Sequence, residues 1–339
     1  MQKLALTLAA LLACGSCLAD DLWLHIPPAE GKANGKKVVL ISGDEEYRSE
    51  EVCPALAKIL SQHHGFDTTV LFAINPDGGY IDPNFSSNIP GLEALADADL
   101  LIIGTRFRKL STEQLAPLAE YLNSGRPVIG FRTATHAFTG GTVTGDFNWN
   151  QFGLLILGEQ WVAHHGRHGV EGARGVIEQA NADHPVLQGV TDVFGPSDVY
   201  TVKNLDEEKA TVLLRGAVTE TLDPSSKILA DDPRNNPMMA LAWIHEYTSP
   251  DGGAKGKAFT TTMGASQDIV SDDLRRLFVN ASLYLVGLEV PAAAEVGFVD
   301  PFEPTRFAFI RAENFFKERN LKPSDFGLGK AAATGLPDN

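Results

Sequence analysis

Cysteine is nearly missing from this chain: 339 residues carry three, at positions 14, 17 and 53. Cys14 and Cys17 fall in the leader described below, so cleavage after Ala19 leaves Cys53 alone, and no disulfide framework can form within one such chain. Stability must then come from burial, and a chain of this length with 44% hydrophobic residues can build one sizeable core plus an appendage. A basic stripe is missing as well: 28 scattered Lys and Arg stand against 43 Asp and Glu, for a net charge of −15. Such a body repels phosphate backbones, which excludes nucleic acid as an expected partner and favours neutral ligands. Long apolar runs are also missing. The stretch from Leu4 to Ala13 is too short to span a bilayer and, behind Met1-Gln2-Lys3, reads as a secretory signal. Two processing signals follow it. Leu11-Leu12-Ala13-Cys14 resembles a lipobox, which would make a lipid on Cys14 the only tie to a membrane, whereas Cys17-Leu18-Ala19 before Asp20-Asp21 suits ordinary cleavage of residues 1–19. The expected location is secreted or periplasmic.

What the chain does have, from Lys36 onward, is an alternation of apolar runs with amphipathic segments, the pattern of βαβ units and a parallel sheet covered on both faces. Strands are expected at Lys37 to Ser42, Asp67 to Ile74, Leu100 to Gly104 and Pro127 to Phe131. The helix after the first ends near His63 with Gly65 as its stop, and Ser111 with Gln114 caps the helix running to Asn123. In the second half Gly175 to Gln179, Val199 to Leu205, Thr211 to Val218, Met239 to His245 and Ala258 to Met263 read as strands joined by short turns, hence as antiparallel members. Ser271 to Val286 is a final amphipathic helix. The expected fold is an α/β, flavodoxin-like open sheet, mostly parallel, with helices on both faces and added antiparallel strands. Residues 36–289 make one domain, and 290–339 a packing tail with a disordered end from about Lys330. No internal repeat and no dividing linker interrupts this plan.

Ligands of open α/β sheets bind outside the carboxyl ends of the strands, so the loops there come first. The loop after the first strand, Ser42-Gly43-Asp44-Glu45-Glu46-Tyr47-Arg48, concentrates three acids and an arginine, either as a binding loop or as a solvated helix cap. After the third strand, Arg106 and Arg108 flank Phe107 and could grip hydroxyls through forked hydrogen bonds, although ion pairs to the acids of the first loop explain them nearly as well. The third loop is Gly130-Phe131-Arg132-Thr133-Ala134-Thr135-His136.

The stretches Val38 to Gly43, Gly130 to His136, Thr261-Thr262-Met263-Gly264-Ala265 and Asn280 to Gly287 together resemble the ThuA-like (trehalose utilisation) family, on the class I glutamine amidotransferase-like fold. The resemblance implies a flavodoxin-like sheet and a role in carbohydrate metabolism, with trehalose or a related glycoside or keto-sugar as the small-molecule partner. In that fold the turn after the fourth strand holds a nucleophilic cysteine; here Arg132 stands in its place, and a guanidinium is no nucleophile, so glutamine hydrolysis through a thioester is excluded. Many relatives carry histidine where this chain has Ala265, so a base at that point would have to come from Gln267 or Asp268.

Trp161-Val162-Ala163-His164-His165-Gly166-Arg167-His168 places three histidines within five residues. A zinc site would want a second cluster of His or Cys, and none is present, with His136 and Asp146 the only outside contributors in view. The cluster therefore reads as a hydrogen-bonding loop, a divalent metal is the lesser alternative, and no cofactor is expected. The expected site takes Glu45 and His136 as acid–base groups, Arg132 as the group that positions or polarises an oxygen, and Asp44, Arg48, Arg106, Arg108, His164, His165, Gln267 and Asp268 as substrate contacts. The alternative is a non-catalytic sugar-binding or scaffold module that kept the fold after losing the nucleophile.

Overall fold

The computed structural model describes residues 22–337, so the leader, its processing signals and Cys14 and Cys17 lie outside the described residues. Among the described residues one 10-stranded sheet dominates. Its strands are β1 (Trp23–Ile26), β2 (Lys37–Gly43), β3 (Asp67–Leu71), β4 (Leu100–Thr105), β5 (Val128–Phe131), β6 (Ala173–Ile177), β7 (Val193–Gly195), β8 (Thr211–Val218), β9 (Met239–Thr248) and β10 (Lys255–Thr261). Their spatial order is β1-β3-β2-β4-β5-β10-β9-β8-β6-β7. The central block β3-β2-β4-β5-β10 is parallel, β1 runs antiparallel on one edge, and β9, β8, β6 and β7 continue antiparallel on the other.

Alternation along the central strands explains why both faces are covered. Val38, Leu40, Leu100 and Ile102 turn to one face, where they join the buried sides of α1 (Ser49–His64) and α3 (Asp272–Leu285). Val39, Ile41, Leu101 and Ile103 turn to the other, against Leu115, Leu118 and Leu122 of α2 (Thr112–Asn123). Strands buried on both sides carry continuous apolar runs, as Val38 to Ile41 of β2 and Leu100 to Ile103 of β4 do. The helix ends follow local chemistry: the Ser111 hydroxyl accepts the Gln114 N–H at 3.3 Å. α1 stops at Gly65, whose φ of 75° and close approach to the Lys32 carbonyl leave no room for a side chain.

Several expectations need correction. Asp67 to Ile74 is not one strand: β3 ends at Leu71, and Ile74–Asn75 pairs with Tyr80–Ile81 in a separate hairpin. Edge strands β1 and β7 are only 4 and 3 residues long, too short to show a period in sequence. Val199 to Leu205 joins no sheet strand; its backbone pairs instead with the histidine loop, His165 N–H donating to the Val199 carbonyl at 2.8 Å and Thr201 N–H to the Ala163 carbonyl at 2.9 Å. Nor are the residues from Lys330 to 337 a disordered end. Thr334 is buried, its N–H donating to Glu51 Oε1 at 2.7 Å and its hydroxyl to Glu50 Oε1 at 2.8 Å. Among the described residues no helix is long and apolar enough to cross a membrane.

Candidate functional site

The loops leaving β2, β4, β5 and β10 meet at the carboxyl end of the parallel block, and their polar groups form two levels. The lower level is buried. Arg132 is the first residue after β5 and holds φ at 46°, and its side chain is fully enclosed. Its guanidinium donates to the Asp198 carbonyl at 2.7 Å, the Thr262 carbonyl at 2.8 Å, Asp198 Oδ1 at 2.9 Å and the Tyr47 hydroxyl at 3.1 Å. The rings of Tyr47 and Tyr200 flank it, with centroids 4.4 and 3.8 Å from its central carbon. This is a structural strut joining three segments, not a group presented to a ligand. Asp44 and Asp268 are struts of the same kind. Asp44 accepts the N–H groups of Glu46 and Tyr47 and the Thr133 hydroxyl. Asp268 accepts the N–H groups of Ser197, Gly264 and Ala265 and the Ser197 hydroxyl, so it cannot serve as the base missing at Ala265.

Above this floor opens a cavity of about 970 Å³. Its polar wall is Glu46, Arg106, His164, His168 and Gln267, and its aromatic wall is Trp161, Phe194, Phe307 and Phe309. The histidine loop can lie against the floor because Gly166 carries no side chain: a Cβ there would stand 3.1 Å from that of Asp198. As a result Asp198, fully buried, takes His164 Nδ1–H on Oδ2 at 2.8 Å and His168 Nδ1–H on Oδ1 at 3.2 Å. Burial works to raise the Asp198 carboxyl, but hydrogen bonds from His164 and His168 and the charge of Arg132 outweigh it and hold the group well below the usual carboxylate range. His168 Nε2 faces Glu46 Oε1 at 3.4 Å. Burial, and then the neighbouring Asp44, push the Glu46 carboxyl up against the pull of Arg106, His168 and Arg132.

Of the residues singled out from sequence, Arg106, His164 and Gln267 lie on the cavity wall. The others do not. Glu45 is held by Arg106 and by Arg108, the latter at 2.7 Å, so both arginines do pair with the first loop. Arg108 is buried and donates to the Pro83 carbonyl at 2.8 Å. Arg48 is buried in a left-handed turn ahead of α1 and reaches the Ala308 carbonyl. His165 points away from the cavity, its Nε2 against the Arg234 carbonyl at 2.7 Å. His136 lies against Trp161 and Phe107, with ring centroids 5.3 and 4.8 Å away. Burial, then Arg106 and Arg132, press its pKa well below the ordinary histidine value, so it is a neutral packing residue.

Sequence reasoning missed Glu46, Asp198 and the aromatic strap around Phe307. Glu46 was visible beside Glu45, but nothing in an irregular loop says which of two adjacent acids turns inward. Asp198 lies 34 residues from His164 and carries no spacing signal. Neither His136 nor Asp146 joins His164 and His168; among the described residues Asp198 does.

A family model described as ThuA, trehalose utilisation, matches residues 37–285. The fold is similar to a crystal structure of a ThuA-like protein from Parabacteroides merdae, with a TM-score of 0.50 and 14% identity over 76% of this chain and 92% of that one. It is also similar to a ThuA-like protein from Bacteroides uniformis, with a TM-score of 0.47 and 14% identity over 77% and 95% of the two chains. No curated protein sequence matches.

Proposed function

The chain belongs to the ThuA (trehalose utilisation) family, and on that premise we propose that it binds and processes a carbohydrate in the cavity at the carboxyl ends of β2, β4 and β10. One observation carries the reading: a single concave site sets aromatic faces opposite a convergent set of hydrogen-bonding groups. Its volume of about 970 Å³ lies within the range of small-molecule sites. A sugar ring offers an apolar face of C–H groups and a rim of hydroxyls. Trp161, Phe307 and Phe309 suit the former, Arg106 and Gln267 the latter. Glu46, rather than Glu45, is the acid–base group, because its carboxyl faces the cavity and burial keeps its proton longer than in water. A glutaminase reaction has no support, since Arg132 fills the elbow and Cys53 is buried in α1. The leader supports a secreted or periplasmic setting, which mass spectrometry of the mature N-terminus would check.

A purely binding role is the second reading, favoured by the burial of Arg132 where the fold would expose a nucleophile. Calorimetry against mono- and disaccharides and their keto forms, followed by product analysis, separates the two. With the best sugar, Trp161→Ala is expected to weaken binding at least about tenfold, the loss of one aromatic contact. Glu46→Gln is expected to keep binding while turnover falls by about 100-fold or more. Turnover surviving in Glu46→Gln would remove Glu46 from the chemistry, and binding without turnover in the wild type would establish the second reading. If no sugar binds, the carbohydrate assignment fails.

A further inference from the structure

We propose that His164, His168 and Asp198 form a divalent transition-metal centre opening onto the cavity, with Glu46 as its outer carboxylate. The proposal deepens the carbohydrate reading by giving the sugar oxygens a cation to bind, but its geometry stands independently of any sugar.

Spacing is the first support. In a tetrahedral shell with bonds of about 2.0–2.2 Å, ligand atoms stand about 3.3–3.6 Å apart. The Asp198 carboxylate lies 2.8 Å from His164 Nδ1 and 3.2 Å from His168 Nδ1, and the three donor atoms fall within 4.8 Å of one another. The two contacts run to different oxygens of that carboxylate, and side-chain adjustments of up to about an ångström bring the three donors to coordination spacing around one ion.

The second support is the position of a second carboxylate. His168 sets Nδ1 toward Asp198 Oδ1 at 3.2 Å and Nε2 toward Glu46 Oε1 at 3.4 Å. With a metal on Nδ1, the ring proton sits on Nε2 and Nε2–H donates to Glu46. The result is the carboxylate–histidine–metal relay that commonly orients metal-bound imidazoles.

Pre-organisation is the third. Arg132 fixes Asp198 from below at 2.9 Å, and the pairing of Ala163 and His165 with Val199 and Thr201 fixes the histidine loop over it. Both histidines keep about a third of their side chains exposed, on the cavity side. Two imidazoles and one carboxylate select zinc, iron, cobalt or manganese over calcium or magnesium, which take oxygen shells. The Arg132 charge, bound to the same carboxylate, sets the affinity below that of an all-thiolate structural site.

The test is a cobalt(II) titration of untagged protein stripped with a chelator, read by visible absorption, followed by displacement with zinc. The expected result is one cobalt per chain with ligand-field bands of four- or five-coordination. His164→Ala and His168→Ala, both at half-exposed positions, should each weaken binding by more than about 100-fold with unchanged circular dichroism. Glu46→Gln should retain the stoichiometry and weaken affinity by about 10- to 100-fold, the usual cost of losing an outer-shell partner. No stoichiometric cobalt, or cobalt held as tightly by both histidine variants as by the wild type, overturns the proposal and leaves a proton-shared His168–Glu46 pair in its place. Because no sugar enters the titration, failure of the metal centre and failure of the carbohydrate reading are separately visible.

Discussion

Arg132 carries a permanent charge with its side chain sealed from solvent, and its surroundings account for that. Four acceptors, the Asp198 carboxylate among them, and two tyrosine rings replace the water it gave up. A lysine keeps the charge but has a single ammonium, which cannot span two carbonyls, a carboxylate and a hydroxyl or lie flat between rings. Arg132→Lys is therefore expected to lower unfolding free energy by about 3 kcal/mol, the cost of leaving buried acceptors unpaired, measured by urea denaturation. A midpoint within error of the wild type would mean the guanidinium is not the strut described. The same residue marks a limit of sequence reading. Its position in the elbow was legible, yet whether it faced a ligand or the core depended on Asp198 and Tyr200, which arrive from another part of the chain.

At the scale of elements, the C-terminal segment closes the site. Residues 304–309 form one wall of the cavity, and Glu51 of α1 ties that strap to the tail by accepting the N–H groups of Thr305 at 2.9 Å and Thr334 at 2.7 Å. The neighbouring Glu50 is fully buried, 3.9 Å from Arg48, and its Oε2 has no partner. Burial raises its pKa from an ordinary 4.5 to about 7, with Arg48 opposing and Glu51 assisting. The folded state therefore holds this proton more tightly than the unfolded chain. Stability falls as pH rises from about 4.5 through about 7, by up to about 3 kcal/mol from this group. Glu50→Gln keeps the shape and the contact with Thr334 but does not ionise, so its thermal midpoint should decline less between pH 5 and pH 8 than that of the wild type. Parallel declines would show that Glu50 is not the titrating group. A packing tail beyond residue 290 was legible, but its role as a wall was not, since it meets the loop after β2 from more than 250 residues away.

For the whole molecule, the parallel block and the rim of loops divide the work between rigidity and access. Strands β4 and β5 have neighbours on both sides and helices over both faces, so their amides should exchange hydrogen only through global unfolding. The strap 304–309 and the loop 161–169 belong to no helix or sheet strand and should exchange sooner, then gain protection when a saturating sugar is present. Unchanged exchange in both segments under saturation would place the ligand elsewhere. By itself the sequence determined the sheet class, the cap chemistry of the helices, the loss of the nucleophilic cysteine and the rim where polar loops gather, because apolar periodicity and local hydrogen bonding act over a few residues. Only the tertiary structure decided which polar groups face the cavity and which are struts: Glu46 over Glu45, His168 over His165, and Asp198 beneath both histidines. Those choices depend on which distant segment supplies a partner for each buried charge, and no short-range pattern encodes that pairing.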